Sequence, residues 1–262
     1  MGSGTATSLT VNADSTDGGD NADTTETISI GAIGTANEIG AVTLDAADGI
    51  TFTGDITLAD ASGAKLDIDG PAIIDGSVTI DTDNDTNDNN IEFLTTINGK
   101  GTSASDALTL TSGGGTITLG GIIGGSTALD SFTVNSSALT ISNSITTDGG
   151  LIDINAPVTL SGSNTISTGS GGGNIEFGST VDNGNVLTLT SGSGNIVFSD
   201  NIGASNSLDQ LRINESAGTG NVTLSGNLGT DSAPGVSGGL IIFQSFFGLI
   251  FVGFNCKVIS FV

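Results

Sequence analysis

A triplet with apolar residues at both ends recurs along this chain and limits what the chain can fold into. Between residues 42 and 224 it occurs 17 times, about once every 11 residues, with Thr in the middle of eleven copies and an acid in four more. Because side chains alternate between the two faces of a strand, each triplet predicts a very short strand with one buried and one solvated face. The triplets are Val42–Leu44, Ile50–Phe52, Ile56–Leu58, Leu66–Ile68, Val78–Ile80, Ile91–Phe93, Leu108–Leu110, Ile117–Leu119, Phe132–Val134, Leu139–Ile141, Ile152–Ile154, Val158–Leu160, Ile175–Phe177, Leu187–Leu189, Ile196–Phe198, Leu211–Ile213 and Val222–Leu224.

A longer repeat of 80–90 residues is superimposed on the triplets. Three segments align without gaps at offsets of 90 and 79 residues, and each begins with Ile-Gly and ends with a triplet. The sequence of Asn90–Phe93 is repeated at Asn174–Phe177, and Asp69–Ile73 is similar to Asn155–Val158. Repetition at two length scales is typical of solenoid proteins. The three aligned segments are 33–44, 123–134 and 202–213.

These patterns predict an all-β fold in which residues 31–230 form a parallel β-helix of about nine coils. A coil of about 22 residues would carry two triplets, and four coils would make one long repeat. At about 4.8 Å per coil the repeat region would form a rod about 40–45 Å long. An antiparallel sandwich is the alternative, because turn residues recur at intervals that also suit that fold. Few strands reach the five alternating residues that a sandwich would show, which favours the β-helix.

The chain divides into three regions by composition. Residues 1–30 form a leading segment or first coil, 31–230 the repeat region, and 231–262 a hydrophobic tail. The stretch 240–262 holds six of the eleven Phe residues and loses the alternating pattern. It is interpreted as a shifted or truncated reading frame, as a membrane segment, or as a cap over the open end of the solenoid. The first residues do not contain a basic segment followed by an apolar segment, so no signal peptide is predicted.

Composition excludes several classes of function. The net charge is −24, with only four basic residues, which excludes a phosphate-neutralising surface for nucleic acid. The chain has no His, so it has no histidine general base, no Ser-His-Asp triad and no His-ligated zinc. One Cys excludes a disulfide framework within the chain. The basic residues are scattered, and we expect no enzyme activity; they are Lys65, Lys100, Arg212 and Lys257.

The densest acidic cluster has the spacing of a calcium-binding loop. Carboxylates at alternating positions, with a Glu at the twelfth, are typical of an EF-hand. The sixth position is Thr86, where that loop needs Gly, and no helix is predicted on either side. The cluster is therefore a weak Ca²⁺ candidate or a solvated turn, and no other cofactor is expected. Its members are Asp81, Asp83, Asp85, Asp88 and Glu92.

Several short motifs resemble the repeats of giant bacterial surface exoproteins. They are Gly-Asn-Ile-Glu-Phe at 173–177, Gly-Asn-Ile-Val-Phe at 194–198, Gly-Asn-Val-Thr-Leu at 220–224 and Ile-Gly-x-Ser-x-x-Leu at 123–129 and 202–208. The region 31–230 is similar to filamentous-haemagglutinin-type adhesins and autotransporter passengers. That resemblance implies a right-handed parallel β-helix, an extracellular or cell-surface location, and a stalk or adhesin role. It implies partners on host or neighbouring cells or in extracellular polysaccharide.

The expected function is therefore mechanical, a stiff acidic stalk segment of a secreted surface protein. The alternative is a Ca²⁺- or polysaccharide-binding module on the same scaffold. Any membrane contact is expected only through residues 240–262.

Overall fold

The structure is a computed structural model that describes residues 8–13, 26–34, 39–59, 65–83, 89–101, 105–213, 219–230, 233–237, 240–242 and 249–251. Among these residues there are only strands, turns and bends. The first thirteen strands are β1 (Leu9–Asn12), β2 (Thr27–Ile30), β3 (Val42–Asp45), β4 (Gly49–Phe52), β5 (Ile56–Thr57), β6 (Lys65–Asp69), β7 (Ala72–Ile74), β8 (Val78–Asp81), β9 (Asn90–Phe93), β10 (Ile97–Gly99), β11 (Ala107–Leu119), β12 (Ser131–Ile141) and β13 (Ile145–Thr146). The others are β14 (Ile152–Asn155), β15 (Val158–Leu160), β16 (Asn164–Ser167), β17 (Ile175–Phe177), β18 (Val181–Asp182), β19 (Val186–Thr190), β20 (Ile196–Phe198), β21 (Gln210–Ile213), β22 (Val222–Leu224), β23 (Gly229–Thr230), β24 (Ala233–Pro234), β25 (Leu240–Ile242) and β26 (Leu249–Phe251).

The strands stack in parallel into a β-solenoid, which confirms the predicted fold class. In the described residues the only antiparallel pair is β23 with β24. Each turn of the chain crosses three faces in a fixed order. Face I contains β5, β8, the first half of β11 and of β12, β14, β17, β20, β22 and β26. Face II contains β1, β3, β6, β9, the second half of β11 and of β12, β15 and β18. Face III contains β2, β4, β7, β10, β13, β16, β19, β21 and β25.

Face II gives the clearest count of turns. Seven complete turns lie between Val42 and Ile202, so one turn takes about 23 residues. At about 4.8 Å per turn this stretch is about 34 Å long. The sequence predicts about nine coils for residues 31–230, whereas the structure has about seven complete turns, with one further paired step beyond each end, from Leu9 to Val42 and from Ile202 to Leu228. The right-handed sense of the coil stays a prediction.

The triplets form the core as the sequence predicts. Both outer residues of every triplet are at most 2 % exposed, so each triplet contributes two buried apolar side chains to the core. Five Phe side chains are fully buried inside the solenoid, and two of them lie on neighbouring turns of face I. The rings of Phe177 and Phe198 are stacked with centroids 4.9 Å apart and planes 5° apart. Such a pair adds about 0.5–1.5 kcal/mol to the effect of burial alone.

Two features of the turns were not expected from the triplets. A turn has three faces, and face III includes positions with no triplet, such as Ile123 and Ile145, which pair as single residues or in short strands. In addition, β11 and β12 are 13 and 11 residues long, because each continues from face I into face II. The glycines 113–115 lie inside β11, where the register with β12 shifts without ending the pairing.

The long repeat is not a whole number of turns. From Ile33 to Ile123 the chain makes eleven steps from one face to the next among the paired residues, and it makes eleven more from Ile123 to Ile202. With three faces per turn, eleven steps are three and two-thirds turns. Ile33 accordingly lies on face I, Ile123 on face III and Ile202 on face II. The prediction of four coils per repeat is wrong by one face.

The predicted hydrophobic tail contributes two strands that continue the solenoid. β25 pairs in parallel with β21 on face III, and β26 pairs in parallel with β22 on face I. Residues 231–232, 238–239, 243–248 and 252–262 of the tail lie outside the described residues, as do 1–7 and 14–25 of the leading segment.

Candidate functional surface

The Gly-Asn motifs that carry the resemblance lie on top of one another on face I. The backbone N–H of Asn195 donates to Oδ1 of Asn174 at 2.9 Å, and the N–H of Asn221 donates to Oδ1 of Asn195 at 2.9 Å. A side chain on Gly194 would collide with the carbonyl oxygen of Gly173, and one on Gly220 would collide with that of Gly194. Both motif residues are therefore explained by the close stacking of three coils.

Buried hydroxyl groups lie at this same corner, where the chain passes from face III to face I. Thr147, Thr168 and Ser191 are fully buried, one on each of three successive turns. Their hydroxyls donate to the carbonyl oxygens of glycines three to five residues later, at 2.8, 2.9 and 2.6 Å. Each such bond satisfies a carbonyl group where the chain turns sharply. These side chains are structural, because their hydrogen bonds point into the corner.

The outward Thr residues form regular ladders although their spacing in the sequence is uneven. Thr118, Thr140 and Thr159 pair directly on face II, because the differences in length are absorbed at the corners. The ladder is flanked by Glu92 below and Asp182 above, so it is only three threonines long. A second run on face I, also of three, contains Thr79, Thr109 and Thr133.

Besides Asp45 and Asp69 on face II, two pairs of carboxylates lie directly opposite one another on neighbouring coils. Asp67 pairs with Glu92 on face II, and Asp153 pairs with Glu176 on face I. Like charges in directly opposite positions on paired strands are destabilising. Among the described residues, the second pair is relieved by amide donors, since Asn155 donates to Oδ2 of Asp153 at 3.0 Å and Asn174 donates to Oε1 of Glu176 at 2.9 Å.

A lysine compensates the first carboxylate pair. Nζ of Lys65 lies 2.6 Å from Oδ2 of Asp67, two residues along the same strand. This hydrogen bond, together with the charges of Asp67 and Glu92, raises the pKa of Lys65 above its usual value. Because Lys65 is on the surface, the ion pair is screened by solvent.

The other described cations also have polar partners. Lys100 pairs with Asp75 of the preceding coil at 2.5 Å, and Nε of Arg212 donates to Gln210 at 2.6 Å. The partner of Lys100 cannot be found from local sequence, because Asp75 is 25 residues earlier in the chain. Each of the three described cations therefore has a polar partner, and none is left as an unpaired basic group next to carboxylates.

The candidate calcium cluster is only partly described. Asp81 ends β8 on face I, and its Oδ1 accepts a hydrogen bond from the N–H of Asp83 at 2.9 Å. Glu92 is in β9 on face II, opposite Asp67 and Thr118. Asp85 and Asp88 lie outside the described residues. Among the residues that the structure covers, no three carboxylate, Cys or His side chains are grouped as metal ligands.

Comparisons of the chain with protein-family models, with curated proteins and with solved structures found no match. In the described part of the chain there is no helix long and apolar enough to cross a membrane. The observations that bear on function are therefore the geometry of the solenoid and the composition of its outer surface.

Proposed function

We propose that this chain is a stiff acidic spacer, a stalk segment of a bacterial surface exoprotein, and that its role is mechanical rather than catalytic. The observation that carries the proposal is the unbroken parallel register along face II from Val42 to Ile202. Every coil is held to the next by backbone hydrogen bonds and by a continuous apolar core. Bending the rod would separate coils on one side and expose that core to water, which costs free energy.

The outer surface supports the same proposal. The charge of −24 makes neighbouring rods repel one another, which keeps them soluble and separate. Within the described residues, the polar side chains at the corners are used for stacking, as the Gly-Asn motifs and the buried hydroxyls show. The location at the cell surface follows from the resemblance of those motifs and is part of the proposal.

Mass spectrometry of the cell-surface and secreted fractions of the source organism tests the location. We expect peptides of this chain in those fractions, within a larger exported product. An intact 25.6 kDa product confined to the cytoplasm would contradict the stalk proposal. Single-molecule pulling tests the mechanical role separately. A solenoid that extends at low force, as a flexible linker of the same length does, could not act as a stiff spacer.

A second candidate function is a Ca²⁺- or polysaccharide-binding module on the same scaffold. The observation that favours it is the Asp153–Glu176 pair, whose carboxylates have amide donors but no cation beside them in the described structure. Titration calorimetry with Ca²⁺ separates the two functions. A heat of Ca²⁺ binding that is present in wild type and Asp83→Ala but lost in Asp153→Asn would support binding at this pair. No heat of binding in wild type would favour the spacer without a ligand.

A further inference from the structure

The same local structure occurs at three different corners of the solenoid. Each aligned segment begins with an Ile that pairs across coils, followed by a Gly with positive φ, +81° at Gly34, +68° at Gly124 and +65° at Gly203. A side chain on any of these glycines would collide with a carbonyl oxygen of a neighbouring coil. The three glycines are equivalent in sequence and in conformation, although they lie at the ends of different faces.

The hydrogen bonds around two of these corners are also equivalent. Oδ1 of Asn98 accepts from the N–H groups of Ser126 and Thr127 at 2.9 and 3.4 Å. On another face, Oδ1 of Asp182 accepts from the N–H groups of Ser205 and Asn206 at 2.9 and 3.3 Å. In each case the donors are three and four residues after the repeat's Ile, and the acceptor follows the residue with which that Ile pairs.

Two further motifs show the same displacement. Asn90–Phe93 lies on face II and its copy Asn174–Phe177 on face I, eleven steps later. Asp69–Ile73 enters face III and its copy Asn155–Val158 enters face II, again after eleven steps. The carboxylate pair moves with them, because Asp67 and Glu92 are the counterparts of Asp153 and Glu176.

We propose that a block of eleven strand segments, rather than the coil, is the interchangeable unit of this rod. Each block lengthens the rod by three and two-thirds coils, about 18 Å, and moves its surface back by one face, from face I to face III and then to face II. Successive copies of a surface feature then point to different sides, so a partner that binds the repeated surface meets it from more than one direction. The proposal concerns how the rod is built and displayed, and it does not depend on the stalk function.

Distances between spin labels in the full chain test the display. In a Cys256→Ser background we compare Glu92→Cys/Glu176→Cys, which are repeat equivalents, with Glu92→Cys/Asp182→Cys, which lie in one ladder four steps apart. The second pair should be about 19 Å apart before label length is added. We expect the first pair to give the longer distance, because its labels are on different faces. If the distance for the first pair is equal to or shorter than that for the second, the proposal that repeat equivalents lie on different faces would be overturned.

Deletion variants test the interchangeability. Removing residues 33–122 takes out one block and joins Ala32 to Ile123, the counterpart of Ile33. Removing residues 42–138 takes out four complete turns and joins Ala41 to Leu139. We expect the block deletion to unfold cooperatively, at a higher urea concentration than the four-turn deletion, and to be about 18 Å shorter by X-ray scattering. A block deletion that does not fold, or that is no more stable than the four-turn deletion, would show that the block is not the unit.

Discussion

At the scale of single residues, glycine is required where the backbone has positive φ and a neighbouring coil approaches closely. Three glycines separate these two requirements. Gly124 has φ +68° and faces the carbonyl of Thr146, Gly76 has φ +102° with open space around it, and Gly31 has neither constraint. The fit of one coil on the next therefore depends on specific glycines rather than on glycine content.

We expect the Ala variants of these glycines to differ in stability. Gly31→Ala should be nearly neutral, Gly76→Ala should cost about 1 kcal/mol because of the left-handed backbone, and Gly124→Ala should cost about 3 kcal/mol or more. Urea denaturation of the three variants measures the order. Equal losses at Gly76 and Gly124 would show that the contact with Thr146 is unimportant.

Two buried serines provide a matched pair. Both are fully buried, but the hydroxyl of Ser191 donates to the carbonyl of Gly194 at 2.6 Å, whereas the hydroxyl of Ser112 has no partner among the described residues. A buried polar group without a hydrogen bond costs about 1–3 kcal/mol. We expect Ser112→Ala to raise the free energy of unfolding by about 1 kcal/mol and Ser191→Ala to lower it by about the same amount. A loss of stability in both variants would contradict this interpretation.

At the scale of the strands, pairing register decides which surface charges meet. Glu176 faces Asp153 with no cation beside the pair in the part of the chain that the structure describes, while Glu92 faces Asp67 with Lys65 beside it. We expect Glu176→Gln to stabilise the protein by about 0.5 kcal/mol and Glu92→Gln to have a smaller effect, because Lys65 already compensates that pair. Thermal melts at low and at 1 M salt measure this difference, which salt should reduce. An effect that is independent of salt would not be electrostatic.

The ion pair of Lys65 gives a dependence on alkaline pH. Since the pKa of Lys65 is higher in the folded protein, the stabilisation is fully present below the pKa of the unfolded chain and is lost as the pH rises through the folded value. We expect wild type to lose stability above about pH 10.5 relative to Lys65→Met. Denaturation curves at pH 9 and pH 11 measure this loss, and Lys65→Met should show less of it. Parallel curves for the two proteins would contradict it.

At the scale of the whole molecule, we expect the acidic surface to keep separate molecules apart in solution. The net charge of −24 at pH 7 falls to zero near the isoelectric point of about 4.1. We expect light scattering to rise steeply as the pH approaches 4, because repulsion between rods disappears. Far-ultraviolet circular dichroism at the same pH distinguishes association of folded rods from unfolding. Scattering that is constant from pH 7 to pH 4 would show that charge does not keep the rods separate.

The sequence by itself determined the fold class and the core. The triplets predict which side chains are buried, because side chains alternate between the two faces of a strand and the apolar residues occur at every second position. Every outer residue of the 17 triplets is buried in the structure. The sequence also revealed the long repeat and the equivalence of Asn90–Phe93 with Asn174–Phe177.

Only the tertiary structure decided how many faces a turn has and where the repeats lie on them. Ile123 and Ile202 look alike in sequence but occupy different faces, because a repeat of eleven steps cannot close on a three-sided coil. The pairing of Lys100 with Asp75, and of Asp153 with Glu176, depends on the number of residues in each turn. That number varies because loops at the corners absorb insertions without disturbing the register, so residues that meet across coils cannot be found by a constant spacing.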